Sequence, residues 1–477
     1  MATVPKRLAL RVLPALAAAC AAIALAATIA QGATVEVGET LGEENFGVLS
    51  FQAGAGEDNR LTIAFAKAGD GYLDLTVKDE GAALTVAAGC SGGGGPGEVA
   101  HCRMHEPKQP DLVYCGKVCE HTIPGTGWRN TLRIFLGDGD NVFDGGAFPR
   151  QSLGFAMDVA SGAGNDEITL GGANDEVDPG AGNDRVHTGP GSDRIETTAA
   201  PDGPDLYDSG RTTDASADTI SYAGRGVPID VAAPVAGASG EGDLLVGSFE
   251  IIGGMADDVI AGGPENEKLY GGPGNDVIVG NRVRGTELYG GPGDDRLSTA
   301  TAAAESSNLL IGEGGNDSYL GGKGHDEILD SLDVVGEGSP EAAPGPPKPG
   351  EEDAAYGGAR NDTIMLGAGP DRILGGPGDD LIDGENGNDS LFGGPGRDAL
   401  VGGHGFDRVF GGRGADQLFS GRTPWPAPVY AFPKAVDDGR DRVDCGPGRD
   451  IGLVNPWDRR SRCEKTLLLQ RRAAADR

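Results

Sequence analysis

Aliphatic residues fall every ninth place over the longest regular stretch of the chain: Ile364, Ile373, Ile382, Leu391, Leu400, Val409 and Leu418. An interval of nine is neither the 3.6 of a helix nor the strict alternation of a long strand. It fits a three-residue strand whose middle side chain points inward, followed by six residues of turn. The turns read Gly-Gly-x-Gly-x-Asp, as in "GGPGDDLID" (375–383). Two such units make a coil of turn, strand, turn, strand, and stacked coils form two parallel ladders about 4.8 Å between strands. The pattern predicts an all-β parallel β-roll, a β-helix-like solenoid with one aliphatic ladder from each side. Residues 34–135 instead alternate apolar and polar (Leu61, Ile63, Phe65; Leu73, Leu75, Val77; Leu132, Ile134, Leu136) and predict a small β-rich element that starts the fold.

The period divides the chain. A first repeat block spans 136–196, with turn aspartates Asp166, Asp175, Asp184 and Asp193 after a degenerate copy carrying Asn141. A non-repetitive segment, 197–252, separates it from a second block, 253–330, with Asp258, Glu267 in place of an aspartate, Asp276, Asp295, Asp317 and Asp326. The register slips by one residue near "GNRVRGTELY". Residues 331–356 are proline-rich and acidic and read as an extruded loop or linker. The third block, 357–420, holds Asp362, Asp371, Asp380, Asp389, Asp398, Asp407 and Asp416 without a slip. A C-terminal region with a basic tail occupies 421–477.

Composition sharpens this picture. Among 477 residues there are 84 glycines and 30 prolines, which without a period would indicate disorder. Acidic residues outnumber basic ones 73 to 39, for a formal charge of -34. Such a chain repels nucleic acid and anionic lipid and attracts cations. Carboxylates stacked in columns about 4.8 Å apart repel by about 3–4 kcal/mol per neighbour at an effective dielectric near 20, so the columns call for bound cations. Calcium suits them best: it accepts six to eight oxygens in loose geometry, whereas magnesium wants a tight octahedron and soft metals want Cys or His. The sixteen turn aspartates named above are the expected metal ligands, with Asn141 and Glu267 as doubtful positions.

Residues 1–33 carry Lys6, Arg7 and Arg11 before an alanine-rich apolar run, and predict a cleaved export signal and a secreted protein with no membrane contact afterwards. An even set of cysteines then favours disulfides. Cys445 with Cys463 is the natural pair. Cys90, Cys102, Cys115 and Cys119 allow three pairings, of which Cys90–Cys102 and Cys115–Cys119 join neighbours. The alternative adds His101, His105 and His121 to make a zinc site, on the spacing Cys102-x2-His105…Cys115-x3-Cys119.

No catalytic constellation stands out. His105-Glu106-Pro107 lacks the second histidine of a zinc protease, and Gly89-Cys90-Ser91-Gly92-Gly93 lacks the strand–turn–helix setting of a nucleophile elbow. The chain therefore reads as a non-enzyme, with an extracellular hydrolase or an adhesin as alternatives. Leu374, Phe392 and Phe410 form an outward apolar stripe, either a partner surface or packing along the sheet.

The nonapeptides "GGPGNDVIV" (271–279), "GGKGHDEIL" (321–329) and "GGPGDDLID" (375–383) closely resemble the hemolysin-type calcium-binding, or RTX, repeat. That resemblance implies a parallel β-roll with calcium between turns and the turn aspartate as ligand. It also implies that 218–254 is the lead-in segment seen before such blocks in secreted bacterial proteins.

Overall fold

The computed structural model describes strand backbone at 33–39, 47–52, 60–68, 72–79, 84–86, 90–92, 99–105 and 130–135. Between 136 and 468 it describes all but 146–154, 211–216, 233, 240, 264–267, 281–284, 301, 303–305, 331–350 and 422–439. Residues 1–32 of the expected export signal, Glu267, Cys115 and Cys119 lie outside the described residues, and so does most of the proline-rich stretch. Among the described residues there is no helix, and the strands are mostly three residues long.

Successive strands alternate between two parallel ladders, as the period of nine requires. In one, Thr363–Met365, Leu381–Asp383, Ala399–Val401 and Gln417–Phe419 pair in register, eighteen residues per coil. In the other, Arg372–Leu374, Ser390–Gly396 and Arg408–Gly414 do the same. The middle residue of each strand turns inward. Ile364, Ile382, Leu400 and Leu418 from one ladder meet Ile373, Leu391 and Val409 from the other, all fully buried in one continuous core. Each such side chain contributes roughly 1.5–3 kcal/mol by leaving water. The core is only two side chains thick, so the turns stay close to it.

The block boundaries at 196/197, 252/253, 330/331, 356/357 and 420/421 are boundaries of spacing, because the ladders run through all of them. Tyr319 pairs with Ala355 and Ile328 with Ile364 across the proline-rich insertion. Val409 pairs with Val443 and Leu418 with Gly452 across 422–439. Ala354–Tyr356, at the end of the expected linker, is a strand of the roll. Within 197–252, Tyr207 pairs with Leu245 and Ile220 with Ile251. There an antiparallel excursion interrupts one ladder: Val235 faces Ala232 on one side and Leu244 on the other. Parallel pairing resumes where Val231 meets Ile260.

The N-terminal alternation yields the expected strands Arg60–Ala68, Tyr72–Asp79 and Asn130–Phe135. Arg60–Ala68 pairs antiparallel with Tyr72–Asp79 (Ile63 with Val77), which pairs antiparallel with Val99–His105 (Leu75 with Cys102), while Arg60–Ala68 and Asn130–Phe135 pair parallel with the first coil (Leu61 with Phe143, Leu132 with Met157). The β-rich element thus covers an edge that the roll's first coil would otherwise expose for chance pairing.

Candidate metal centre

The turns bring backbone from adjacent coils into contact, and glycine makes this possible. Gly376 and Gly394 hold φ of 113° and 125°, left-handed values that side chains resist. A Cβ on Gly394 would run into the carbonyl oxygen of Gly376 in the neighbouring coil. The glycines therefore leave carbonyl oxygens crowded against the next turn.

The aspartates thread the coils together. Most use Oδ1 to accept the amide of the aspartate one coil earlier: Asp362 N–H to Asp380 at 3.0 Å, Asp371 N–H to Asp389 at 2.9 Å, Asp380 N–H to Asp398 at 3.0 Å. Across insertions the bond persists, from Asp326 to Asp362 and from Asp416 to Asp450. The second oxygen is different. Oδ2 of Asp166, Asp184, Asp193, Asp276, Asp295, Asp362, Asp371, Asp380, Asp389, Asp398, Asp407 and Asp416 is buried without a hydrogen-bond partner. In the other four expected ligands a donor reaches it: the amides of Gly171, Gly254 and Gly322 for Asp175, Asp258 and Asp326, and the Tyr319 hydroxyl for Asp317. The sequence thus picked out one ladder of residues, and the structure divides it into two kinds of turn.

Asn141 shows what the orphaned oxygens lack. It is fully buried one coil before Asp166, and its amide donates to Asp166 Oδ1 at 2.7 Å. Its side-chain Nδ2 reaches the carbonyls of Gly137, Gly139 and Ser161 at 2.9, 2.8 and 3.3 Å. An uncharged donor here satisfies converging turn carbonyls, whereas the aspartate copies put an acceptor oxygen into the same setting. Acceptor against acceptor, buried, is stable only with a positive partner or a proton. The donor set is all oxygen and suits a hard divalent cation such as calcium. Among the described residues no three Asp, Glu, His or Cys side chains form a metal-binding group, so carbonyl oxygens must supply the balance.

Burial, more than mutual repulsion, drives the electrostatics, which corrects the emphasis of the sequence reading. Without a metal, desolvation first and neighbouring aspartates second push Asp380 and Asp398 up to about 7 and Asp389 up to about 9. Asp184 and Asp295 rise to about 8 in the same way. The folded, calcium-free roll therefore holds protons that an unfolded chain, with carboxyls near pKa 3.9, has released. Its stability is fullest below about pH 4 and is lost as pH climbs through these raised values. In chelator, lowering the pH from about 8 to about 5 is expected to increase β signal in circular dichroism. An unchanged or falling signal would contradict the assignment.

Within 197–254, protein donors reach buried carboxylate oxygens, and this the sequence did not reveal. Tyr207 donates its hydroxyl to Asp205 Oδ2 at 2.7 Å, Tyr222 to Asp243 Oδ2 at 3.1 Å, and Thr188 to Asp218 Oδ2 at 2.7 Å. The fully buried guanidinium of Arg225 pairs with Glu241, lies 3.8 Å from Asp202, donates to the Thr198 carbonyl at 3.0 Å and sits over the Tyr222 ring. Asp205, Asp218, Asp243, Asp353, Asp441, Asp450 and Asp458 all continue the amide-to-carboxylate ladder, though none was an expected site. The usable signal was an aspartate two residues before an inward side chain, as in Asp205–Tyr207 and Asp441–Val443, where the glycines are missing or sparse.

The outward stripe packs on itself. Leu374, Phe392 and Phe410 stand in register, and the two phenyl rings stack at 4.9 Å. Arg372 covers Phe392 at 5.4 Å and Arg442 covers Phe410 at 5.8 Å, so the ring faces are occupied within the chain. Cys445 and Cys463 form the expected disulfide, Cα atoms 5.0 Å apart, joining two neighbouring coils. The backbones of Cys90 and Cys102 are direct antiparallel partners. Ser91 lies in the strand Cys90–Gly92 and His105 ends the strand Val99–His105.

Fold and turns together define a parallel β-roll of glycine-rich repeats. Residues 159–186, 252–286, 303–328, 356–391 and 392–422 match the family described as RTX calcium-binding nonapeptide repeat. The chain carries copies of that repeat across 159–422, which make it a calcium-binding repeat protein. No curated protein matches the chain.

Proposed function

We propose that this is an exported protein whose roll folds outside the cell as calcium enters the turns, and whose role is structural or surface-interacting rather than catalytic. The observation that carries this reading is the series of buried Oδ2 atoms without donors. The metal-binding residues are the turn aspartates with that orphaned oxygen, Asp380, Asp389 and Asp398 foremost, together with turn carbonyls. Bound calcium supplies the positive charge these oxygens lack. The chain's own part is to position the oxygens. The Oδ1-to-amide bonds fix each carboxylate, the glycines let carbonyls approach, and the aliphatic ladder holds adjacent coils in register. Because each turn bears on its neighbour, occupancy is cooperative along the stack. Extracellular calcium modules of this kind bind at about 10⁻⁴–10⁻³ M, so the sites stay largely empty before export and fill after it.

The C-terminal disulfide supports an oxidising destination. Cys90–Cys102 is proposed as a second bond, since the strand register already aligns the two positions. The self-stacked phenylalanines favour packing over an adhesive use of the stripe. Circular dichroism and ion counting with calcium, magnesium and chelator test the reading. Calcium is expected to raise β signal sharply and cooperatively, with magnesium far less effective. Full β signal in chelator at pH 8 would end the coupled-folding account, and equal response to magnesium would end the choice of metal.

A further inference from the structure

One buried carboxylate belongs to neither kind of turn. Asp330 follows the strand His325–Leu329, with its backbone held in the ladder: its amide donates to the Met365 carbonyl at 3.1 Å and its carbonyl accepts the Glu313 amide at 2.7 Å. It is 3% exposed, and both its oxygens are buried without a partner. The repeat aspartates leave at most one oxygen orphaned, whereas Asp330 leaves two.

Register explains where the side chain goes. Ile311, Leu329 and Met365 are cross-strand neighbours, so the residues after them, Gly312, Asp330 and Leu366, occupy equivalent places in three successive coils. A Cβ on Gly312 would meet the Asp317 carboxylate of its own turn, and Leu366 is fully buried in the core. A side chain here therefore points inward, toward the aspartate that closes the same turn. For Asp330 that aspartate is Asp353, whose Oδ1 is taken by the Asp317 amide at 2.6 Å. Asp353, Glu351 and Glu385 are the charged groups that act on Asp330, and all are acidic.

We propose that Asp330 and Asp353 together hold a divalent cation, calcium by the oxygen chemistry, at a site distinct from the repeat sites. Two side-chain carboxylates from a single turn bring more negative charge to one point than a repeat turn does, and ligand charge is a main determinant of calcium affinity. The site is the tightest in the roll and fills first. Its two residues flank the insertion 331–350 in sequence, so it fixes the coil on which the last and longest regular block stacks. The inference rests on the reading that the turns bind calcium.

The test compares wild type with Asp330→Asn, Asp330→Leu and Asp380→Asn by calorimetry and by counting ions after dialysis against buffered calcium. Asp330→Leu installs the residue that the next coil carries at this place, so the core accommodates it. Both Asp330 variants are expected to bind one ion fewer, with the calcium level that half-fills the first site raised at least ~10-fold. Asp380→Asn is expected to lose weaker ions and keep the tight one. If Asp330→Leu binds the wild-type number of ions at wild-type affinity, Asp330 is a neutral acid in the core and the proposal fails, whatever Asp380→Asn does. If Asp380→Asn keeps every ion while the Asp330 variants lose one, the repeat reading fails and this site stands.

Discussion

Asparagine in place of Asp380, Asp389 and Asp398 is expected to make the calcium-free roll more ordered, while the protein binds fewer calcium ions. Asn141 supplies the reason. Its carboxamide gives three turn carbonyls a donor within 3.3 Å, and no charge is buried. Each of the three aspartates instead buries an acceptor oxygen with no donor. Exchanging it for a donor relieves about 1–3 kcal/mol per turn in the absence of metal. Asparagine keeps an oxygen for the amide of the preceding coil, which alanine does not. The triple alanine variant is therefore expected to be disordered in chelator and weakened in calcium. Circular dichroism in chelator separates the two variants, and calorimetry reads the lost ions. If the asparagine variant takes up the wild-type number of ions, these oxygens are not ligands.

Arg225→Met is expected to destabilise the protein by about 3–5 kcal/mol even at saturating calcium, because it strands buried acids that no ion serves. Arg225 and Glu241 have side-chain exposures of 0% and 2%, so water cannot replace the missing charge. The same guanidinium also holds the Thr198 carbonyl and covers Tyr222. Urea unfolding in excess calcium measures the loss. Adding Glu241→Gln to the methionine variant is expected to recover part of it, since the two side chains form one network. A methionine variant as stable as wild type would mean that calcium, rather than arginine, neutralises this coil.

The roll was legible because its two determinants are local. An inward aliphatic every nine residues dictates strand spacing, and Gly-Gly-x-Gly-x-Asp dictates the turn, so Ile364 to Leu418 and Asp362 to Asp416 follow without knowledge of contacts. The coils at 205, 243, 353 and 441 were not legible, since their turns are lengthened and the period is lost even though their strands stack in register. Arg225 was hidden for another reason. Its partners Asp202 and Glu241 lie on either side of it in sequence and meet only through the antiparallel excursion, and in so acidic a chain no single carboxylate marks itself as a partner. Asn141 was legible as a departure from the pattern, but its meaning depended on the three carbonyls around it. The dominance of burial over repulsion likewise needed the geometry, because spacing fixes charge separation and says nothing about solvent.

The ladder of amide-to-carboxylate bonds keeps its form whether the next aspartate is 18, 22 or 36 residues along. Closing a loop grows dearer only with the logarithm of its length, about 0.6 kcal/mol for each doubling. Foreign sequence spliced between Asp330 and Glu351, or between Gly421 and Arg440, should thus ride on the solenoid as a passenger. The scaffold offers display positions whose cargo can vary in size without retuning the coils beneath.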